Sequence, residues 1–310
     1  MTLAQSGKLR ILVTGRDGQV GSELVRSMGS LGELKSTNRA ELDLTSDEAI
    51  AAVVRAFKPD LIVNAAAYTA VDKAESEPEL ARRINHDAVA TLAAEAKSVG
   101  AAVIHYSTDY VFDGAKTSPY TEDDVTHPLS VYGKTKLAGE QVLAAAGIPY
   151  LVLRTSWVYG ATGKNFLLTI LRLAQQKPEL RIVADQTGAP TWSRDIAEAT
   201  AAIAAKWLPG RANSGVYHLT ACGSTTWHGF ASQAIRLLSE AHPDQHEKLA
   251  RLIPISTAEY PTAAVRPKNS QLDCSKLAAA FDCRLPKWDD SLAKVMEEYE
   301  LAHQAAANRG

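Results

Sequence analysis

The stretch Arg10-Ile-Leu-Val-Thr-Gly-Arg-Asp-Gly-Gln-Val-Gly21 joins a short apolar run to three glycines spaced three residues apart. The apolar run has the length of a buried strand, and a helical pattern follows it from residue 19 to residue 28. Glycine allows a tight turn and a close approach of the backbone to a pyrophosphate, whose charge suits a helix amino terminus. An ordinary glycine-rich turn can share this spacing, but the strand–turn–helix context favours a dinucleotide site.

The same alternation of apolar runs and helical segments continues through the first half of the chain. It predicts an α/β fold with a Rossmann-type, doubly wound parallel sheet, because crossover helices join parallel strands. We expect an NAD(P)-binding domain over residues 1–155, with its sheet completed by segments near 193–220. Residues 156–310 are expected to form mainly a smaller, interleaved substrate-binding domain. The predicted strands cover 10–14, 33–36, 61–64, 102–107 and 150–155, and the predicted helices 19–28, 46–57, 76–99, 130–146, 165–176, 193–207, 226–240 and 291–304.

Composition excludes several classes of partner. The 33 Lys and Arg against 35 Asp and Glu give a net charge of −2, so no overall basic field attracts nucleic acid or an anionic membrane. No apolar run has the 18 residues of a membrane span. The cysteines Cys222, Cys274 and Cys283 are too scattered for a disulfide framework or a zinc site. The first seven residues, MTLAQSG, are not a signal-peptide core. These features predict a cytoplasmic protein without a metal.

The end of the second predicted strand bears on the choice of dinucleotide. NAD-binding units usually place an acidic residue there to hold the ribose 2′-hydroxyl, whereas this chain has Thr37-Asn38-Arg39. Arg39 could pair with a 2′-phosphate, which favours NADPH over NADH, or it could be a solvated loop residue. Arg16, inside the glycine turn, is either a second phosphate ligand or a surface residue.

Tyr132 and Lys136 lie four residues apart on a predicted helix, and therefore on one helical face. A lysine cation beside a phenol is expected to lower the phenol pKa from near 10 towards neutrality. Thr108, at the end of the preceding strand, adds a hydroxyl that could bind the same substrate oxygen. The alternative is a helix with an exposed lysine and a half-buried tyrosine.

Longer blocks carry a more specific resemblance. The glycine turn and Tyr132–Lys136 together resemble the extended short-chain dehydrogenases/reductases. From the first strand to about Trp288, the chain further resembles the dTDP-4-dehydrorhamnose reductase family. The blocks are Asn64-Ala-Ala-Ala-Tyr-Thr-Ala-Val-Asp-Lys-Ala-Glu75, His105-Tyr-Ser-Thr-Asp-Tyr-Val-Phe-Asp-Gly114, Val131-Tyr-Gly-Lys-Thr-Lys-Leu-Ala-Gly-Glu140, Arg154-Thr-Ser-Trp-Val-Tyr159 and Asp185-Gln-Thr-Gly-Ala-Pro-Thr191.

This resemblance implies roles for individual residues. The implied catalytic residues are Thr108, Tyr132 and Lys136. The cofactor-binding residues expected from the resemblance and from the glycine turn are Gly15, Arg16, Gly18, Gln19, Val20, Gly21, Asn38, Arg39, Asp43, Leu44, Ala65, Ala66, Ala67, Tyr132 and Lys136. The expected substrate-binding residues are Val71, Thr108, Asp109, Tyr110, Trp157, Gln186, Thr191 and Arg266. For Trp157 the alternative is a core aromatic residue, and for Arg266 a surface residue.

The activity implied by the resemblance is the NADPH-dependent reduction of the C4 ketone of dTDP-4-dehydro-6-deoxy-L-mannose to dTDP-L-rhamnose. One alternative is a non-catalytic NADP-binding regulatory subunit, like the beta subunit of methionine adenosyltransferase. Another is a reductase of a different deoxy-sugar nucleotide. The complete Thr108, Tyr132 and Lys136 set favours an enzyme, because a pure binding module does not need it.

One position departs from the family pattern. Some members are dimers bridged by magnesium through acidic side chains, and Glu23 and Glu298 match two of those acids. Arg194 stands where the third is expected, and a cation cannot ligate a metal. We therefore expect a monomer, or a weak homodimer built in another way.

Overall fold

The computed structural model describes residues 8–243 and 249–307. The MTLAQSG segment at the start of the first predicted domain and residues 308–310 at the end of the second lie outside the described residues. The strands are β1 (Leu9–Thr14), β2 (Gly32–Thr37), β3 (Leu61–Asn64), β4 (Ala102–Thr108), β5 (Tyr150–Thr155), β6 (Val158–Tyr159), β7 (Glu179–Val183), β8 (Thr187–Gly188), β9 (Thr191–Trp192), β10 (Gly215–His218), β11 (Thr225–Thr226) and β12 (Arg251–Ile255). The helices are α1 (Gln19–Met28), α2 (Asp47–Phe57), α3 (Val71–Ala74), α4 (Pro78–Arg82), α5 (Ala88–Val99), α6 (Val131–Ala145), α7 (Phe166–Ala174), α8 (Ser193–Trp207), α9 (Trp227–Ala241), α10 (Ser275–Phe281) and α11 (Trp288–Ala307).

In the described part of the chain, the main sheet is parallel, with strand order β10-β5-β4-β3-β1-β2. The prediction of a doubly wound α/β sheet is confirmed. The chain moves outward in one direction from β1 to β2 and in the other from β3 to β10. The switch point therefore lies between β1 and β3, where a crevice forms at the carboxyl ends of the strands.

Side chains of the central strands alternate between two apolar layers. Ile11 and Val13 pack on the α1 and α8 side, whereas Leu12, between them, packs on the α2, α5 and α6 side. All three are fully buried. Both faces of the sheet are thus covered, which explains why its strands read as continuous apolar runs in the sequence.

The second half of the chain builds outward from this sheet. β10 pairs with β5 and is the last strand of the main sheet, while α8 packs on α1. Beyond them, α7, α9 and α11 enclose a separate apolar cluster around Phe230 and Leu292. Three two-stranded sheets, β6–β9, β7–β12 and β8–β11, also belong to this half of the chain. The division of the chain at residue 155 stays a prediction.

The helix expected over 76–99 is divided in the structure. It contains α4, a π-helical turn at Arg83–Asp87 and α5, and the separate short helix α3 precedes it. A π-turn carries one extra residue, a difference that apolar periodicity does not reveal. The buried Asn85 lies in this turn, where its side-chain oxygen accepts a hydrogen bond from the Tyr68 N–H at 2.9 Å.

Candidate active site

A cleft of about 770 Å³ opens at the carboxyl ends of the central strands. It extends from the glycine turn after β1 to the start of α6 and the residues after β5. Most of the predicted site residues line it: Gly15, Gly18, Gln19, Val20, Asn38, Arg39, Asp43, Leu44, Ala65, Ala66, Ala67, Val71, Thr108, Asp109, Tyr110, Tyr132, Lys136 and Trp157. The two halves of the sequence prediction, a dinucleotide site and a Thr-Tyr-Lys group, therefore meet in one cavity.

The glycine turn requires its glycines for steric reasons. Gly15 has φ +75°, and a Cβ there would lie 2.9 Å from the backbone of Ala66. At Gly21 a Cβ would lie 2.0 Å from the Gly15 carbonyl oxygen. Gly21 is thus needed to pack α1 against the turn, and it does not line the cleft, contrary to its predicted place among the cofactor contacts.

The residues after β2 form the far end of the cleft. Arg39 is exposed and lines it, and the Asn38 side-chain oxygen closes the turn by accepting from the N–H groups of Ala40 and Glu41. Arg16 does not line the cleft, because its guanidinium is held by Glu41 at 2.8 Å and by the Ser36 carbonyl. Of the two predicted phosphate ligands, only Arg39 faces the cavity.

Thr108, Asp109 and Tyr132 meet at the centre of the cleft. The Thr108 hydroxyl, at the end of β4, donates to Asp109 Oδ1 at 3.1 Å. Asp109 is buried, and burial raises its pKa to about 6 against the opposing hydrogen bonds from Ser270 and Thr108. Tyr132 is in the first turn of α6, whose amino end is capped by the Ser130 hydroxyl. The strand end and the helix cap therefore place both hydroxyls in one cavity.

The electrostatics of Tyr132 differ from the sequence expectation. Desolvation raises its pKa to about 12, with Thr108 opposing this shift. We expected Lys136 to lower the pKa, which is wrong for this arrangement. The Lys136 Nζ donates to the Tyr106 carbonyl at 2.6 Å and lies 3.1 Å from His105 Nε2. The ammonium is thus held beneath the strand end, and burial lowers its own pKa to about 8.

Trp157 lies where the cleft meets the second half of the chain. It has φ +48°, an unusual conformation for a bulky residue, and conformations of this kind concentrate at functional sites. Its ring stacks on Trp227 at a centroid distance of 3.6 Å, and Gly188 leaves space for it, since a Cβ there would lie 2.5 Å from the indole. Trp157 is therefore a fixed wall of the cleft.

Three predicted substrate residues lie outside the cleft lining. Arg266 is turned towards Asp72, with Nη2 donating to Oδ2 at 2.6 Å, next to the lining residue Val71. Gln186 is buried between Thr257 and the Trp227 indole N–H. Thr191 is fully buried, and its hydroxyl donates to the Ala189 carbonyl. The polar groups of Gln186 and Thr191 are thus engaged inside the protein.

Several polar residues around the cleft were missed by motif reasoning. Asn64 is buried at the end of β3 and His105 in the middle of β4, and Glu140 forms a buried ion pair with Arg154. A signal was available, because polar residues inside otherwise apolar strands need buried partners. Trp227 carried no such signal, since its contact with Trp157 joins segments 70 residues apart.

On the face formed by α1, α8 and α11, Arg194 lies between two acids. Its guanidinium donates to Glu23 at 3.1 Å and to Glu298. Within residues 8–243 and 249–307, no group of three or more His, Cys, Asp or Glu side chains could hold a metal ion. In the same ranges, no helix combines the length and apolarity needed to cross a membrane.

A Rossmann-type sheet with this glycine turn and a Thr-Tyr-Lys group in one cleft defines a member of the extended short-chain dehydrogenase/reductase class. The family model described as the RmlD substrate binding domain matches residues 9–301, and the chain belongs to this family. The predicted resemblance of the chain to the dTDP-4-dehydrorhamnose reductase family is confirmed.

Relatives support the assignment along most of the chain. The chain is 49% identical to a dTDP-4-dehydrorhamnose reductase of Burkholderia thailandensis over 284 residues, covering 90% of this chain and 95% of the relative. It is 44% identical to that of Escherichia coli K12, covering 94% and 98%. A crystal structure of the Clostridium acetobutylicum reductase superposes with a TM-score of 0.86 at 37% identity, covering 94% and 100%. The Bacillus anthracis enzyme, solved in complex with NADP, gives 0.85 at 32%, covering 94% and 99%.

Proposed function

We propose that the protein reduces the C4 ketone of dTDP-4-dehydro-6-deoxy-L-mannose to dTDP-L-rhamnose with NADPH, with NADH as an alternative donor. The observation that carries the proposal is the meeting of Thr108, Tyr132 and Lys136 with the glycine turn in one cleft. The near full-length similarity to named dTDP-4-dehydrorhamnose reductases supports the substrate.

The residues present fit a phosphorylated dinucleotide. Gly15 and Gly18 line the cleft at the amino end of α1, where N–H groups can bind a pyrophosphate. Arg39 offers a cation for a 2′-phosphate, and Ala65, Ala66 and Ala67 form a small-residue wall after β3. NADPH, when bound, supplies the hydride that adds to C4. We assign the remaining predicted contacts, Gln19, Val20, Asn38, Asp43 and Leu44, to the same cofactor.

Tyr132 supplies the proton. With a pKa of about 12 it keeps its phenol proton at neutral pH and can donate it as the ketone oxygen becomes negative. The O–H bond of Tyr132 breaks, and the proton goes to that oxygen. Thr108 holds the same oxygen by a hydrogen bond, and we assign the Lys136 ammonium to the nicotinamide ribose of the cofactor.

The sugar nucleotide lies on the other side of the cleft. Val71, Asp109, Tyr110 and Trp157 line the region next to Tyr132, and we assign them to the sugar. Arg266 is assigned to the diphosphate, because its buried Nη1 has no hydrogen-bond partner among the described residues. Gln186 and Thr191 are assigned to the support of the nucleotide loop.

The test incubates the protein with NADPH and dTDP-4-dehydro-6-deoxy-L-mannose and follows the loss of NADPH absorbance. We expect turnover, and a Tyr132→Phe variant should lose about 100- to 10,000-fold in kcat. Tyr217→Phe is the matched control, because this buried phenol donates to the Asn213 carbonyl, away from the cleft. NADPH binding without turnover would instead support a regulatory subunit. Faster reduction of a UDP- or GDP-linked keto sugar would indicate another sugar nucleotide.

We further propose that the protein works in the cytoplasm as a monomer or weak homodimer, binding neither nucleic acid nor membrane. The free thiols of Cys222, Cys274 and Cys283 fit a reducing compartment. Arg194 places a positive charge between Glu23 and Glu298, which opposes magnesium binding there. Sedimentation with and without magnesium chloride tests the oligomeric state.

A further inference from the structure

A row of buried polar side chains crosses three adjacent strands, at the last residues of β1 and β3 and in the middle of β4. Thr14, Asn64 and His105 are register partners on β1, β3 and β4, and each is about 1% exposed. The Thr14 hydroxyl lies 2.6 Å from Asn64 Oδ1, and Asn64 Nδ2 lies 3.0 Å from His105 Nδ1. His105 Nε2 then lies 3.1 Å from Lys136 Nζ. The polar row therefore ends at the candidate catalytic lysine.

The protons of this row cannot be placed independently. A neutral imidazole has one donor nitrogen and one acceptor nitrogen. Burial and the charge of Lys136 hold the pKa of His105 well below its usual value, so the ring is neutral. If Asn64 donates to Nδ1, then Nε2 carries the proton and faces Lys136. Lys136 can accept a hydrogen bond from this N–H only as an uncharged amine. The amine still donates to the Tyr106 carbonyl at 2.6 Å.

The opposite direction satisfies the imidazole equally well, but it leaves the Thr14 hydroxyl proton without its Asn64 acceptor. A Lys136 ammonium donates to Nε2, so the ring proton moves to Nδ1 and points at Asn64. The Asn64 amide then turns by 180°, a rotation that exchanges two atoms of nearly equal size. Its nitrogen donates to the Thr14 hydroxyl oxygen, which also accepts from the Ala66 N–H at 3.3 Å. Between the two arrangements the net change is one proton lost from Lys136 to water, and the imidazole keeps one proton in both.

We propose that His105 is a positioning residue that couples its tautomer to the charge of Lys136, with Asn64 and Thr14 following the change. The Nδ1–H tautomer accompanies the ammonium, the charged form of Lys136 that the proposed reduction uses. The Nε2–H tautomer accompanies the uncharged amine. The inference deepens the proposed function, but its spectroscopic test needs no turnover and can succeed or fail separately.

The other charged groups around Lys136 favour a switch near neutral pH. Burial lowers the pKa of Lys136 to about 8, and Glu140, one turn further along α6, opposes this shift. Glu140 is in turn paired with Arg154 of β5. Tyr132 lies on the same helix and stays protonated. Asp109, on the turn after β4, helps to raise the pKa of Tyr132.

The direct test is side-chain ¹⁵N NMR of the full chain from pH 6 to pH 10, with the His105 signals assigned from a His105→Gln spectrum. We expect the Nδ1–H tautomer at pH 6.5 and the Nε2–H tautomer at pH 9.5, with the midpoint shared by the Lys136 Nζ signal. An unchanged tautomer across the Lys136 titration would overturn the proposal. So would a doubly protonated His105 anywhere in this range.

A pair of variants separates positioning from general support of the fold. His105→Leu removes the acceptor for the ammonium, so the alkaline limb of the kcat/KM profile should move to lower pH by about one unit. The value of kcat/KM should then fall approximately tenfold at pH 8.5 and change little at pH 6. His105→Gln offers an amide oxygen and should restore the limb. An equal loss at every pH would indicate a purely structural role. If His105→Leu does not fold, the NMR titration of the unaltered protein still decides the proposal.

Discussion

Arg154 Nη2 and Glu140 Oε2 lie 2.6 Å apart in a buried ion pair that joins β5 to α6. A second contact, Arg154 Nε to Glu140 Oε1 at 2.9 Å, makes the pair bidentate. The side chains are 5% and 4% exposed. Glu140 follows Lys136 by one helical turn, so this pair fixes α6 against β5 at the position where α6 supplies Tyr132 and Lys136.

Removing one partner of this pair should destabilise the protein strongly. Arg154→Met leaves the Glu140 carboxylate buried without its partner, and we expect a loss of about 3–5 kcal/mol in the free energy of unfolding. Urea denaturation measures it. The matched control is Arg181→Met, because Arg181 pairs with Glu259 at 2.7 Å while the two side chains are 54% and 50% exposed, so its loss should be much smaller. Equal losses would contradict the argument from burial.

Arg39 should determine the preference for NADPH over NADH. Arg39→Leu would remove the charge-assisted contact that we assign to the 2′-phosphate, so the ratio of kcat/KM values for the two cofactors should fall about 10- to 100-fold. Steady-state kinetics with each cofactor measure the ratio. Arg16→Leu is the control, because Glu41 already holds the Arg16 guanidinium and its removal should leave the ratio nearly unchanged. A larger effect at Arg16 than at Arg39 would contradict the assignment.

The glycine turn makes a steric prediction. In Gly21→Ala the new Cβ would lie 2.0 Å from the Gly15 carbonyl oxygen, so α1 must move away from the turn. We expect a loss of about 1–3 kcal/mol in stability and a clear loss of NADPH affinity, measured by denaturation and by fluorescence titration. Gly210→Ala is the control, since no atom lies within 4 Å of its Cβ and its backbone φ is not positive. Unchanged NADPH affinity in Gly21→Ala would show that the turn tolerates the shift.

The parts of this molecule that the sequence predicts are those encoded locally. β1 and its glycine turn follow from twelve consecutive residues, and the Tyr132–Lys136 pair follows from one helical turn. The boundaries of β3, β5 and α8 agree with their predicted ranges. Each of these features depends on side chains near one another in the chain, so apolar periodicity and glycine spacing are enough to reveal them.

The remaining features depend on contacts between distant segments. Trp157 meets Trp227, and Arg266 pairs with Asp72 across 194 residues. Whether Lys136 turns towards Tyr132 or towards His105 depends on how α6 packs on β4, and the four-residue spacing is the same in either case. Spacing therefore identified the lysine but not its partner.

Asp109 should make stability depend on pH in an unusual direction. Its folded pKa of about 6 exceeds the ordinary value of 3.8 because the side chain is buried. The folded state therefore binds the proton more tightly than the unfolded state. The resulting stabilisation is complete below pH 3.8 and is lost as the pH rises through 6, amounting to about 3 kcal/mol.

Asp109→Asn removes this titration while preserving the shape of the side chain. The stability of the variant minus that of the unaltered protein should be higher at pH 7 than at pH 4. Urea midpoints at the two pH values measure this change. Asp185→Asn is the control, because hydrogen bonds from Thr257 hold the pKa of this exposed carboxyl below its usual value. Its effect should hardly change between pH 4 and pH 7, since the lowered pKa of Asp185 places its titration below this range. A difference between the unaltered protein and Asp109→Asn that does not change with pH would mean that Asp109 stays ionised in the folded protein down to pH 4.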